Sequence, residues 1–249
     1  MKDLRRWSLR ILAGVFCLLL SLWGVGLVRQ RIYRHRAEQL LADLRKIYPG
    51  MPQAEAEAIL APWKARGNLE LRCDVAPEAC DDTVTLPPPL PEWLWLKDES
   101  GAWNNRKLWL AHSLVYLGIR QAHTRGGFSF QHGTVQEVHF LFGLLTALDQ
   151  WLLRSEPAVL GAATERMEEL SYSTLDPEGA TSNPSVRVRS LRPRDLGLSV
   201  VFSLSVSPGQ RVRLMDFQLD CLTRLLPCRD EREILPEAAR LFDQAHSGH

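Results

Sequence analysis

The sequence predicts an α+β protein that is attached to a membrane by an N-terminal transmembrane helix. Three observations support this: an uncharged apolar run at residues 11–28, a helical period over residues 30–65, and alternating apolar and polar residues in several later segments. The first two patterns indicate helices and the third indicates strands. We therefore expect a transmembrane helix, a helical hairpin, and a mixed domain with antiparallel strands and C-terminal helices.

The apolar run contains 18 residues without a charge. As a helix, a run of this length nearly matches the hydrocarbon thickness of a bilayer. A basic leader precedes it, and four arginines follow it at Arg29, Arg31, Arg34 and Arg36. Gly24-Val25-Gly26 offers the small residues of a signal-peptide cleavage site, so removal is one alternative. The length of the run and the arginines beyond it favour an uncleaved signal-anchor, with the lipid bilayer as its partner.

Changes in composition and periodicity divide the chain into six regions. These are a basic leader (1–10), the signal-anchor (11–28), a membrane-proximal helical hairpin (29–66), an α+β region (67–175), a linker (176–184), and a strand pair with C-terminal helices (185–249). Pro49-Gly50 separates the two helices of the hairpin. The first helix has a narrow apolar seam. Its members are Tyr33, Ala37, Leu40, Leu44 and Ile47.

Five cysteines are present, and Cys17 lies inside the apolar run. The other four form two pairs with the same gap, Cys73 with Cys80 and Cys221 with Cys228. Matched, even-numbered cysteines favour disulfides in an oxidising compartment, with four reduced and buried thiols as the alternative. The gap is too long for a typical zinc-ligand pair. Because basic residues are balanced on both sides of the run, the cysteines alone predict that the C-terminal domain lies outside the cytoplasm.

The clearest predicted strands are a hairpin over residues 127–142 and a run over 198–206. A three-residue loop, Gln131-His132-Gly133, would pair Phe130 with Thr134 and direct His139 away from a phenylalanine-rich face. The second run alternates apolar residues with serines, which predicts one apolar and one hydroxyl-lined face. Helices are predicted over 141–153, from Gln210 through Leu222, and over Asp230–Gln244.

No nucleotide-binding, metalloprotease, serine-hydrolase or Cys-x-x-Cys motif is present. The net charge of +1 gives no field that would attract nucleic acid. Histidines 123, 132 and 139 are expected at the surface rather than around a metal, and Asp216 and Asp220 on a solvated helix face. No catalytic residue, metal site or cofactor is therefore predicted.

Two further clusters have open interpretations. Half of the eight tryptophans lie within 17 residues. They are Trp93, Trp95, Trp103 and Trp109, and they form either part of the core or an aromatic interface with the bilayer or a partner. The only basic run of the C-terminal half consists of Arg187, Arg189, Arg192 and Arg194. It is typical of an exposed strand face and could also contact anionic headgroups.

The segment from Phe217 to Pro236, FQLDCLTRLLPCRDEREILP, resembles the tail of a group of uncharacterised bacterial single-span membrane proteins. The resemblance implies an N-terminal span, a helical hairpin with a Pro-Gly turn and the two cysteine pairs, and it implies no activity. Together, the predicted span, the cysteine pairs and the resemblance to bacterial proteins lead us to expect a single-pass protein of the bacterial inner membrane with a periplasmic C-terminal domain.

Three functions from different classes remain. The first is a non-catalytic envelope domain that serves as an accessory or assembly subunit of a membrane complex, with a membrane protein as its partner. The second is a binder of a small ligand or peptide, which would use the serine-lined strand face or the tryptophan-rich segment. The third is an envelope enzyme with an unrecognised site. The sequence leaves the oligomeric state open.

Overall fold

The structure, a computed structural model, describes residues 2–73, 79–89, 118–120, 122–145, 186–190, 195–204, 206–224, 228 and 231–237. The elements within these ranges, in chain order, are α1 (Lys2–Leu44), α2 (Gln53–Ala65), β1 (Leu69–Cys73), β2 (Ala79–Thr85), β3 (Ala122–Gln131), β4 (Thr134–Leu145), β5 (Val186–Ser190), β6 (Asp195–Ser203), α3 (Pro208–Leu214), a 3-10 helix (Leu219–Leu222) and α4 (Glu231–Ile234). The fold class is α+β, as the sequence predicts.

The six strands form one antiparallel sheet in the order β1-β2-β3-β4-β6-β5. β4 pairs with β6 over nine residue pairs, from Glu137↔Ser203 to Leu145↔Asp195. Strands from both sides of the predicted linker 176–184 therefore share one sheet. The division of the chain at that linker remains a prediction.

The core lies between α1 and the apolar face of this sheet. All five residues of the predicted seam are buried: four of them lie on α1, and Ile47 lies just beyond the end of this helix. Phe128, Phe140 and Phe202 on the strands are also buried. Gly126 marks the closest approach, because a Cβ atom there would stand 2.4 Å from Leu44 Cδ1. Burying a leucine or phenylalanine side chain stabilises a fold by roughly 1.5–3 kcal/mol, so this interface contributes substantially to the stability of the domain.

The segment between α1 and α2 is attached to the sheet. The Gly50 amide donates to the Val135 carbonyl at 2.7 Å, and the Val135 amide donates to the Met51 carbonyl at 2.9 Å. α2 occupies the predicted residues and is connected to α1 by a hydrogen bond of 3.0 Å from Trp63 Nε1 to Asp43 Oδ2. The predicted hairpin arrangement of the two helices remains a prediction.

The turn between β3 and β4 corrects one prediction. Its loop has two residues, His132 and Gly133, because Gln131 pairs directly with Thr134. Both loop residues adopt positive φ angles, 52° and 75°. Such a turn fits the twist of a hairpin. Phe130 therefore faces Val135, and a bulge at Gln136 restores the predicted faces by pairing Phe128 with Val138.

Residues 141–145 correct a second prediction, because they extend β4 rather than beginning a helix. β4 lies between β3 and β6, so the backbone of this segment pairs with a strand on each side. Its apolar sequence is typical of an interior strand, which is why it resembles a buried helix. Residues 146–153 of the predicted helix lie outside the described residues.

The predicted helix from Gln210 through Leu222 is also wrong, because α3 ends at Leu214 and only Leu219–Leu222 are helical again. Leaving the helix allows Phe217 to pack edge-on against Phe140, with 4.8 Å between ring centroids. The Gln218 amide then donates to the Ile234 carbonyl at 2.7 Å. In the predicted Asp230–Gln244 helix, α4 covers Glu231–Ile234, and residues beyond 237 lie outside the described part.

Candidate functional site

The apolar half of α1 is the first functional feature. Between Ile11 and Val28 most large apolar side chains are exposed, for example Phe16 at 60% and Leu22 at 59%. Within the described residues, this is the one helix that is long and apolar enough to cross a membrane. An apolar surface of this extent is unfavourable in water and is typical of a segment that contacts lipid or another protein.

The same helix enters the domain without a break. Gly26 is buried, and a Cβ atom there would lie 2.6 Å from Ile119 Cδ1. One turn further on, the buried side-chain amide of Gln30 donates a hydrogen bond to the Leu222 carbonyl. Arg120 is buried beside this contact and donates to the carbonyls of Cys221 and Arg224, and burial lowers the pKa of its guanidinium. The end of the apolar run is therefore packed into the folded domain.

Both predicted disulfides are present. Cys73 and Cys80 lie directly opposite each other on β1 and β2, with Cα atoms 4.1 Å apart. Cys221 and Cys228 are joined with Cα atoms 5.4 Å apart, and both are buried. Cys17 has no disulfide partner and is exposed on the apolar half of α1. These bonds indicate an oxidising compartment.

The second face of the sheet is mostly polar, although Leu141 and Val201 also lie on it. We define the polar sheet face by seven side chains that are able to form hydrogen bonds: Thr83, Arg125, Ser129, Glu137, His139, Ser199 and Ser203. Alternation places them together, because successive side chains of a strand point to opposite faces. The bulge at Gln136 matters here, since it puts Glu137 and His139 on this face, as the sequence predicts for His139.

His139 and Arg125 are the chemically distinctive pair on the polar sheet face. His139 pairs with Gly127, which has no side chain, so Arg125 two positions along β3 is its diagonal neighbour. Burial, and secondarily the positive charge of Arg125, lower the pKa of His139 to about 4. The imidazole is therefore neutral at pH 7, with one nitrogen able to accept a hydrogen bond. Within the described residues, Arg125 Nε and Thr83 Oγ1 are buried without a hydrogen-bond partner.

The other candidate groups do not converge on a reactive centre. His123 and His132 are exposed near opposite ends of β3, separated by roughly 30 Å at the rise of a strand. Asp216 contacts Arg45 at 3.3 Å, and Asp220 contacts Arg224 at 2.6 Å, so each carboxylate has its own arginine. In the part of the chain that the structure describes, no group of three or more histidine, cysteine and acidic side chains could hold a metal ion.

Two predicted clusters cannot be placed. Trp93, Trp95, Trp103 and Trp109 lie outside the described residues, as do Arg192 and Arg194. The backbone of Arg187 and Arg189 belongs to β5. The interface predicted for the tryptophans remains a prediction.

A basic cleft that the sequence interpretation missed lies between α1 and the end of α2. We define it by its lining residues, Arg31, Ile32, His35, Arg36, Gln39 and Arg66, which form an open groove of about 530 Å³. Arg66 is the member that sequence reasoning could not assign, because it is 30 residues from Arg36 and only the packing of α2 brings it to this surface. Among the residues that the structure describes, no acidic side chain lines this cleft, and Glu38 lies on the adjoining surface that shares Arg31 and His35.

No protein-family model matches the chain, and neither the curated proteins nor the solved structures include a significant match. The arguments about its function therefore depend on the geometry of the chain itself.

Proposed function

We propose that this chain is an uncleaved, single-pass protein of the bacterial inner membrane whose periplasmic domain is a non-catalytic accessory or assembly subunit of a membrane complex. The observation that carries the proposal is the continuity of α1 from Lys2 to Leu44. One half of this helix is an exposed apolar segment, and the other half is the buried seam of the domain. The two disulfides support the periplasmic side.

Such a helix would couple the domain rigidly to the bilayer. From Val28 to Leu44 the helix rises about 24 Å, so the sheet would be held at a fixed height above the membrane. The contacts of Gly26 with Ile119 and of Gln30 with Leu222 would also fix the rotation of the domain about the helix axis. A fixed height and rotation suit a subunit that presents one surface to a membrane neighbour, whereas a flexible linker would allow the domain to reach many positions.

The experiment rotates the domain about the axis of α1 by inserting residues into the apolar half of this helix. We would insert two or four alanines after Gly14, where the structure has no atom within 4 Å of an added Cβ. Two residues rotate the domain by about 200° relative to the start of the span, and four rotate it by about 40° because the helix has 3.6 residues per turn. Both inserted spans remain within the range of about 17–25 residues that cross a bilayer.

Purification in mild detergent with quantitative mass spectrometry would then measure the partner. We expect a stoichiometric membrane protein with the wild-type chain and with the four-residue insertion, and its loss with the two-residue insertion. Equal recovery with all three chains would contradict rigid presentation. Absence of any stoichiometric partner from the wild-type chain would contradict the accessory-subunit proposal.

A second candidate is a binder of a small anionic ligand. The polar sheet face favours it, because Arg125 Nε and Thr83 Oγ1 are buried without hydrogen-bond partners within the described residues and the neighbouring imidazole is neutral. Buried donors without partners are costly, so a ligand that accepts from them would stabilise the domain. A thermal-shift screen of small carboxylates and phosphates, repeated with Arg125→Gln, tests this candidate. Stabilisation that persists in Arg125→Gln would contradict it.

A further inference from the structure

The basic cleft carries positive charge that its surroundings do not neutralise. Within the described residues, no ion pair involves Arg31, Arg36 or Arg66, although Arg34 on the neighbouring side of α1 pairs with Glu38 at 2.7 Å. His35 contacts Gln39 at 3.0 Å and no carboxylate. The cleft therefore offers three guanidinium groups to an anion, and guanidinium groups can bind phosphate oxygens in a bidentate manner.

Part of the cleft is held in place before any ligand binds. The guanidinium of Arg66 lies 5.2 Å from the centroid of the Trp63 ring, a cation–π distance. Trp63 is 1% exposed, and its indole N–H is fixed by Asp43 at 3.0 Å. Because the ring cannot move freely, it limits the positions open to Arg66. Ile32, which is 49% exposed, adds an apolar contact at the same surface.

The membrane-proximal end of the cleft reaches the headgroup layer. If residues 11–28 span the hydrocarbon core, Arg31 lies about 4.5 Å beyond its edge and Arg36 about 12 Å beyond it, at 1.5 Å per residue. The polar layer of each leaflet is roughly 5–8 Å thick. Arg31 is therefore inside this layer, and the long side chain of Arg36 can reach down to it.

We propose that the basic cleft binds the phosphodiester headgroup of an anionic phospholipid. Arg31 and Arg36 would contact the phosphate, Arg66 would add positive charge at the far side of the cleft, and Ile32 would pack beside the headgroup. This inference rests on the proposed membrane anchorage. The bound lipid would limit rotation of the domain relative to the bilayer, as a second constraint besides α1.

The test uses the full chain in nanodiscs of equimolar phosphatidylglycerol and phosphatidylcholine. Lipids that remain bound after the discs are disrupted would be identified by native mass spectrometry. The test variant is Arg31→Gln with Arg36→Gln. The matched control is Arg211→Gln with Arg213→Gln, which removes the same charge from α3, where Arg211 lies over Tyr48 beyond the far end of α1.

We expect the wild-type chain and the control to retain phosphatidylglycerol preferentially, and the test variant to lose about 25-fold of that preference. This corresponds to about fivefold for each arginine, from about 1 kcal/mol per basic residue near an anionic surface. Equal preference in the test variant and the wild-type chain would overturn the inference. Release of the bound lipid by excess inorganic phosphate would also overturn it, because the cleft would then be a site for soluble phosphate.

Co-elution of the wild-type chain with the discs distinguishes a failure of this inference from a failure of the proposed function. Failure of the wild-type chain to co-elute with the discs would contradict membrane anchorage itself. Co-elution without any preference for phosphatidylglycerol would contradict the headgroup site alone.

Discussion

The side chain of Gln30 donates a hydrogen bond to the backbone carbonyl of Leu222, a residue 192 positions later in the chain. Gln30 is two residues beyond the apolar run and is 1% exposed. This contact joins the end of the candidate span to the 3-10 helix that carries Cys221. It shows that the domain begins where the apolar run ends, with no linker between them.

Leu44 tests the role of α1 in the core. It is fully buried against the sheet, so Leu44→Ala should lower the free energy of unfolding by about 2–5 kcal/mol through lost contacts and a cavity. Ile32→Ala on the exposed side of the same helix should change it by no more than about 0.5 kcal/mol. Chemical denaturation of the full chain in detergent micelles measures both. Similar effects of the two substitutions would mean that α1 does not pack on the sheet.

Gly127 tests the contact between β2 and β3. A Cβ atom there would stand 1.9 Å from the Asp82 carbonyl oxygen, so one strand must move to accept any side chain. We expect Gly127→Ala to cost about 3 kcal/mol or more, at the upper end of overpacking effects. Gly209→Ala is the control, because nothing lies within 4 Å in the first turn of α3, and it should stabilise by about 0.5–1 kcal/mol. A tolerated Gly127→Ala would refute the strand register.

The two disulfides should differ in their contribution to stability. Both close loops of the same sequence separation, so replacing either cysteine pair by alanines removes about 2–3 kcal/mol of unfolded-state constraint. Cys221 and Cys228 are both buried, whereas in the other pair Cys80 is buried and Cys73 is exposed, so the Cys221–Cys228 pair loses more core packing. The unfolding midpoint should therefore fall further for Cys221→Ala with Cys228→Ala. The reverse order would show that the C-terminal disulfide is not part of the core.

The lowered pKa of His139 should make the free energy of unfolding depend on pH. Its folded-state pKa of about 4 is below the ordinary value of 6.5, so the unfolded chain binds its proton more readily than the folded chain. The contribution to stability is complete above pH 6.5 and is lost as the pH falls toward 4. His139→Gln should flatten the slope of unfolding free energy between these values. His132→Asn, at an exposed turn position with positive φ, is the control for the loss of a histidine side chain. An unchanged slope in His139→Gln would contradict the burial of this imidazole.

The sequence predicts what depends on local periodicity. The buried seam of α1, the faces of Phe128 and His139, and the two cysteine pairs follow from spacing alone, and the structure bears them out. The predicted turn was one residue too long, because a two-residue loop without a bulge would place Phe128 opposite Glu137, on the wrong face. The resulting one-residue shift is absorbed by a bulge, which local patterns do not show.

Long-range polar contacts could not be predicted. Gln30 and Leu222 carry no signal that they meet, and Arg66 joins Arg31 only because α2 returns to α1. The break of the predicted C-terminal helix has the same origin, since Phe217 leaves the helical path to reach Phe140 on the sheet. Tertiary packing decides these features, and a single sequence does not encode it in a local pattern.

The central claim is that α1 crosses the membrane, is not cleaved and continues as the core of the domain. Alkaline carbonate extraction of native membranes, followed by intact-mass analysis of both fractions, tests it most directly. We predict that the chain stays in the membrane pellet with residues 11–28 retained and with Cys73–Cys80 and Cys221–Cys228 oxidised. Release into the supernatant of a form that begins near Leu27 would contradict the claim.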